Sequence, residues 1–125
     1  MERRLIQGHS PLEPLFGFSR AVVSGRNVHV AGTAPIPRDG DPPESAYEQM
    51  RLCLELVGEA LGKAGARYED VVRTRMFIAD PDDWQDVARA HGEVFAEIRP
   101  AATAVVARLL DPRWKVELEA DAVLP

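Results

Sequence analysis

RPAATAVVARLLDPRWKVELEADAV, residues 99–123, carries the clearest strand pattern in the chain. Ala101 to Leu109 is a run of small and β-branched residues, and Leu110-Asp111-Pro112-Arg113 reads as a turn. Trp114 to Val123 then alternates. Strand side chains point to opposite faces in turn. Trp114, Val116, Leu118, Ala120 and Ala122 therefore face one way, and Lys115, Glu117, Glu119 and Asp121 the other. The first face suits a core. The second sets three carboxylates in a row, which either do chemistry or merely meet water. The stretch predicts two strands joined as a hairpin.

Two helices precede it. Ser45-Ala46-Tyr47-Glu48 is a capping-box pattern, in which the serine accepts from the backbone three residues on. Ala46, Met50, Cys53, Leu54, Val57, Leu61 and Ala64 then recur at helical spacing, and Gly65 fits the left-handed position that ends helices. Cys53 lies in the apolar stripe, where core packing is a better account than a nucleophile. The second helix begins after Asp80-Pro81, with an apolar stripe of Trp84, Val87, Ala88, His91, Val94, Phe95 and Ile98. His91 on that stripe reads as a satisfied core histidine rather than a base. It has no histidine or cysteine at metal-ligand spacing, so no metal site is expected.

Between the helices, Val71 to Ile78 alternates as a strand. Val72, Thr74, Met76 and Ile78 share one face, and Val71, Arg73, Arg75 and Phe77 the other. At the front, Arg3 to Ile6 is a short strand and His9 to Pro14 a loop. Ala21-Val22-Val23, a Ser24-Gly25-Arg26 turn and Asn27 to Gly32 make a hairpin. Thr33 to Pro43 holds four prolines and one glycine and reads as a long loop. Two amphipathic helices cover one face of such a sheet, so the expected fold is an α+β two-layer sandwich with a mixed sheet. Its uncovered face would carry Arg73, Arg75, Phe77, Lys115, Glu117, Glu119 and Asp121.

A length of 125 residues points to one domain, residues 1–125. No apolar run approaches membrane-spanning length, and the start MERRLIQGHSPLEP lacks the apolar core of a signal peptide, so a cytoplasmic protein with no membrane partner is expected. A single cysteine excludes an intramolecular disulfide. Net charge is −5 with no basic run, which disfavours nucleic acid as a partner, because phosphate neutralisation supplies most non-specific affinity.

FGFSRAV (16–22), VHVAGTAP (28–35), ALGKAGA (60–66), EDVVRTRMFIAD (69–80), RPAAT (99–103) and VELEADAV (116–123) stand in an order that resembles the Rid family, also called YjgF or L-PSP endoribonuclease proteins. The resemblance runs nearly end to end. It implies a ferredoxin-like, chorismate-mutase-like homotrimer, joined through the uncovered sheet faces, with small-molecule clefts between neighbours. It also implies the chemistry of the best-known members, which hydrolyse enamines and imines such as 2-iminopropanoate to 2-keto acids and ammonia without a cofactor.

Position by position, the resemblance is incomplete. The family's deaminases hold the substrate carboxylate with the arginine of a Pro-Ala-Arg-Ser segment. Here that segment is Pro100-Ala101-Ala102-Thr103, and Ala102 stands at the arginine position. The family tyrosine falls at Phe18, the asparagine at Ala88 and a cysteine at Ala104, whereas the site glutamate and glycine are retained as Glu117 and Gly32. The chain is thus similar to a divergent branch marked by TRMF (74–77), RAHGEVF (89–95) and RPAAT.

If the cleft still takes a small acid, Arg75 is the first replacement for the clamp and Arg20 the second, since a guanidinium matches two carboxylate oxygens. A structural ion pair is the alternative for Arg75. Ser19 and Thr103 offer hydroxyls, which equally suit backbone capping. The expected mechanism has Glu117 and a backbone carbonyl near Thr103 hold a water that attacks a C=N carbon. The competing reading is a ligand-binding or regulatory trimer without catalysis. A ribonuclease is disfavoured by the charge and by the absence of paired histidines.

Overall fold

The computed structural model describes residues 2–125. Its elements in chain order are β1 (Arg3–Ile6), α1 (Leu12–Phe16), β2 (Ala21–Ser24), β3 (Asn27–Thr33), α2 (Ala46–Ala64), β4 (Val71–Ile78), α3 (Trp84–Phe95), β5 (Ala101–Val106) and β6 (Val116–Val123). The strands form one mixed sheet in the order β1-β2-β3-β6-β4-β5. Only β4 and β5 run parallel. α2 packs across β6, β3 and β2, and α3 packs on α2, so both long helices lie on one face. This is the expected α+β sandwich.

Local signals explain the helices. Ser45 Oγ accepts the Glu48 N–H at 3.1 Å and opens α2, and Gly65 at φ 89° closes it. The buried stripe of α2, including Met50, Cys53, Leu54, Val57 and Leu61, meets Val28, Val116 and Leu118 of the sheet in one core. Cys53 is fully buried, and burial pushes its thiol far above the usual range, which fits packing and not nucleophilic attack. Asp80 Oδ1 accepts from the Asp82 N–H at 2.9 Å, and a 3₁₀ turn over Pro81–Asp83 leads into α3.

Four expectations need correction. β5 and β6 are not a hairpin, because β4 is inserted between them and pairs with both. The connection after β5 therefore crosses over β4, with Asp111 turning the chain by accepting the Arg113 N–H at 2.9 Å. The Arg113 guanidinium on the same carboxylate lowers Asp111 to about 2. Next, β4 is not a regular alternation. A register shift between Val71 and Arg73 buries Val71 and turns Val72 outward, 49% exposed. The loop expected over His9 to Pro14 contains the start of α1, which ends at Gly17 with φ 79°. Finally, Trp84 and Ala88 are exposed, while Ala90 is buried. Trp84 and Ala88 overhang the sheet edge. With Met76, His91, Ala102 and Ala104 they line a groove of about 210 Å³ that these alanines are too small to fill.

β5 itself is an edge strand with all six residues exposed. Paired residues of neighbouring strands share a face. Ala102 and Ala104 pair with Thr74 and Met76 on the helix side, and Thr103 pairs with Arg75 on the open side.

Candidate functional site

Glu117 sits where the sheet is irregular. Its strand pairs with β3, but the register slips between Val30 and Thr33. Bulges of this kind re-aim side chains. Thr33 Oγ1 turns back to donate to the Ala31 carbonyl at 2.8 Å, and the Gly32 backbone comes up against the Glu117 carboxylate. A Cβ on Gly32 would collide with Glu117 Oε2, so the carboxylate keeps this position only while residue 32 has no side chain.

The carboxylate opens into a cleft of about 380 Å³. The walls are mainly apolar: Leu12 and Phe16 of α1, Phe18, Ile36, Leu110 and Trp114. Trp114 is buried, but it lies before β6 and lines the cleft, outside the core cluster to which strand alternation assigns it. The loop bearing Leu110 and Trp114 is fixed from below by Gln49. That fully buried amide donates to the carbonyls of Pro43 and Arg113 at 2.8 and 2.9 Å and accepts the Lys115 N–H at 2.7 Å. Phe16 and Leu110 stand open at the rim, 66% and 73% exposed.

Arg20 is the cation of this cleft. Its Nη2 donates to the Gly32 carbonyl, and its guanidinium lies 5.7 Å from the Phe18 ring centre. Its Nε is sealed from solvent without an acceptor among the described residues. Burial pulls the Arg20 pKa down, against the charges of Glu13 and Glu117. Glu13 is itself buried and accepts the backbone N–H groups of Gly8 at 2.9 Å and Ser10 at 3.2 Å. Burial likewise raises the Glu117 carboxyl above its ordinary value. Arg20 opposes that rise and Glu119 adds to it. The site is therefore a desolvated carboxylate beside a compensated guanidinium, a suitable arrangement for holding a donor or moving a proton.

Of the residues singled out from the sequence, Phe18, Arg20, Gly32 and Glu117 come together here. Ser19 is half-buried next to them but does not line the cleft. Arg75 does not meet Glu117. Its Nη1 donates to Glu119 Oε1 at 3.1 Å and Asp121 Oδ2 at 3.2 Å, because the register sets Arg75 opposite Glu119 and Phe77 opposite Glu117. His29 Nδ1 joins the same network 2.8 Å from Asp121 Oδ1. Ala102 and Thr103 lie on β5, so within one chain β4 separates them from Glu117. Ala102 instead lines the groove under α3, where His91 Nε2 is 2.9 Å from Thr74 Oγ1 and burial lowers the imidazole pKa.

Sequence reasoning missed Glu13, Gln49 and the apolar walls. Glu13 had a signal, Ser-Pro-Leu-Glu ahead of Gly17, which matches a short capped turn. Gln49 had none, since its partners are distant in the chain. Among the described residues no group of three His, Cys, Asp or Glu side chains is placed to hold a metal ion. None of the described helices is long and apolar enough to cross a membrane.

The family model described as endoribonuclease L-PSP matches residues 8–124. This chain belongs to that family. A solved structure of a Mycobacterium tuberculosis member of the YjgF family is 37% identical, covers 98% of this chain and 100% of its own, and superposes with a TM-score of 0.91. A mouse relative named 2-iminobutanoate/2-iminopropanoate deaminase is 31% identical over 108 residues, 85% of this chain and 80% of the mouse protein. The Escherichia coli protein TdcF, solved with bound serine, is 27% identical, with 98% and 94% coverage and a TM-score of 0.81. The L-PSP family thus includes proteins that act on or bind small molecules, and the Rid resemblance read from the motifs agrees with it.

Proposed function

We propose that this L-PSP family chain is a small-molecule cleft protein that hydrolyses a reactive C=N compound, with Glu117 positioning the water. The observation that carries the reading is the Glu117 carboxylate, desolvated at the Gly32 bulge and open to an apolar cleft of about 380 Å³. In the reaction the water oxygen bonds to the imine carbon while Glu117 accepts the water proton. That proton passes to nitrogen, the C–N bond of the carbinolamine breaks, and the hydroxyl proton leaves with the nitrogen. Imine and water become a carbonyl compound and ammonia, with no redox partner.

The assembly belongs to the same proposal: a homotrimer whose clefts lie between neighbours. Support comes from β5, an edge strand whose exposed residues are almost all apolar, which a second copy would cover. The test is a coupled assay in which an amino-acid oxidase generates imines and their loss is followed with and without the protein. Wild type should accelerate the loss, and Glu117→Gln should not, with the same mass by light scattering. Equal rates for the two proteins would remove Glu117 from the mechanism.

A second reading, a ligand-binding trimer without turnover, is favoured by the state of the two arginines. Arg75 is held by Glu119 and Asp121, and Arg20 donates to the Gly32 carbonyl. Bound ligand without turnover would select that reading.

A further inference from the structure

A second cavity lies on the other side of Arg20. Its volume is about 120 Å³, and one edge of α2 forms a wall, because Glu59, Ala60 and Lys63 follow Leu56 at helical spacing. The segments after β1 and β3 close it with His9, Ser10 and Arg38. Arg20 lines both this cavity and the Glu117 cleft. A Cβ on Gly8 would stand 2.9 Å from Arg20 Cδ, so the arginine stem runs directly beneath Gly8, while Nη2 reaches on to the Gly32 carbonyl. α2 covers the face of the sheet opposite Glu117, and β1 and β5 are the two edges. Every wall of this cavity therefore comes from one chain. The proposed contact between copies, through the open face and β5, leaves it uncovered.

Arg20, Arg38 and Lys63 line the cavity against one carboxylate, Glu59. Glu13 and Glu117 act on Arg20 from behind. Arg38 Nη2 donates to Glu59 Oε2 at 3.0 Å, an exposed pair that contributes little and is easily redirected. Lys63 has no carboxylate in ion-pair range among the described residues. Its Nζ donates one N–H to the Gln7 carbonyl at 3.2 Å, and two remain. Ser10 Oγ accepts the Leu12 N–H at 3.2 Å and keeps its own proton to donate. Unused donors thus stand on three separate segments around one small space. Such an arrangement suits an anion with oxygens on several sides better than a planar carboxylate with two. The size agrees, since a cavity of about 150 Å³ holds one benzene and this one is slightly smaller.

We propose that this cavity binds a phosphate-sized oxyanion, as the free ion or as the terminal phosphoryl group of a small ester, held by Arg38, Lys63 and Ser10 over a floor charged by Arg20. Arg38 turns from Glu59 to the anion, and Lys63 adds its free N–H groups. The site is separate from the Glu117 cleft and sets no condition on the charge of what reacts there.

The experiment is calorimetric titration of the full chain with inorganic phosphate, phenyl phosphate and acetate at constant ionic strength. At least one of the two phosphates is expected to saturate a single site per chain, and acetate to bind far more weakly. Whichever phosphate binds more tightly tells the free ion from an ester. Lys63→Gln and Arg38→Gln change exposed residues, so the fold tolerates them. Each should weaken phosphate about tenfold, a factor equal to about 1.4 kcal/mol and close to what one charge-assisted hydrogen bond contributes. Arg51→Gln removes an exposed cation of the same helix outside the cavity and should leave binding unchanged. Glu59→Gln removes the one lining carboxylate and should tighten phosphate several-fold, whereas Glu55→Gln, exposed on α2 outside the cavity, should not. No saturable binding of either phosphate, equal losses in Lys63→Gln and Arg51→Gln, or acetate as tight as phosphate overturns the proposal. Imine turnover enters none of these measurements, so their failure leaves the Glu117 reading intact, and the failure of that reading leaves this site intact.

Discussion

Glu117 and Glu119 stand two residues apart on one strand and one face of the sheet, yet they have different surroundings. Glu119, with Asp121 beyond it, meets the Arg75 guanidinium, and His29 completes the network. Glu117 has Phe77 as its cross-strand neighbour, a glycine backbone against its oxygens and an apolar cleft in front. Its nearest cation, Arg20, is shared with Glu13. The difference shows that a row of carboxylates is sorted by cross-strand partner and local register. The regular part of β6 yields paired, structural charges. The part beside the β3 bulge yields a carboxylate whose basicity is raised and whose oxygens are free for a ligand.

The largest effect should separate these two groups by activity. Glu117→Gln should lower imine turnover by about 10²–10⁴-fold, the usual contribution of a placed acid or base. Glu119→Gln should leave the rate within a small factor. Comparable losses in both variants would dissolve the distinction. The frame that holds the cleft comes next. Gln49→Ala leaves the carbonyls of Pro43 and Arg113 and the Lys115 N–H without their buried partner. Denaturant unfolding should show a loss of about 2–4 kcal/mol, in line with a buried, unsatisfied polar cluster. Gly32→Ala should lower imine turnover with little loss of stability, because the new methyl meets Glu117 Oε2, the end of a flexible side chain that can swing away from its place. At the paired end, Arg75→Ala removes a part-exposed ion-pair network and should change the stability of the chain by no more than about 1 kcal/mol.

The same contrast explains what the sequence discloses. The period of β6 is local, so Val116, Leu118, Ala120 and Ala122 are legible as core and Glu117, Glu119 and Asp121 as the other face. Ser45 and Gly65 are likewise local signals, and α2 spans the residues they bracket. The insertion of β4 between β5 and β6 is not legible, because parallel pairing joins Arg73 to Ala101 across an intervening helix and leaves no mark in either run. The bulges at Val72 and at Ala31-Gly32 each displace side chains from strict alternation. The first spoils the face assignment of Val71 and Val72. The second creates the Glu117 site. Arg75 followed the alternation to the open face but stands one cross-strand pair away from Glu117, and that single step in register decides its partner. The cleft walls come from α1, the loop at Ile36 and the loop at Leu110, three segments without a common period.

The smallest expected effect is thermal and tests the electrostatic half of the comparison. Burial raises the Glu117 carboxyl in the folded chain, despite Arg20. A raised carboxylate binds its proton more tightly when folded than when unfolded. Its ionisation therefore subtracts from stability as pH climbs from the ordinary glutamate value through the raised one, and the subtraction is complete above that. Glu117→Gln removes the ionisation. Its Tm should exceed that of the wild type at neutral pH, and the gap should close once the pH falls below the ordinary glutamate value of about 4.3. Glu119→Gln should show the opposite sign at neutral pH, because its negative charge is matched by Arg75. A Tm for Glu117→Gln below wild type at neutral pH would mean that Arg20 holds Glu117 as a structural ion pair. Arg20 would then be to Glu117 what Arg75 is to Glu119, and the two ends of the strand would differ only in exposure.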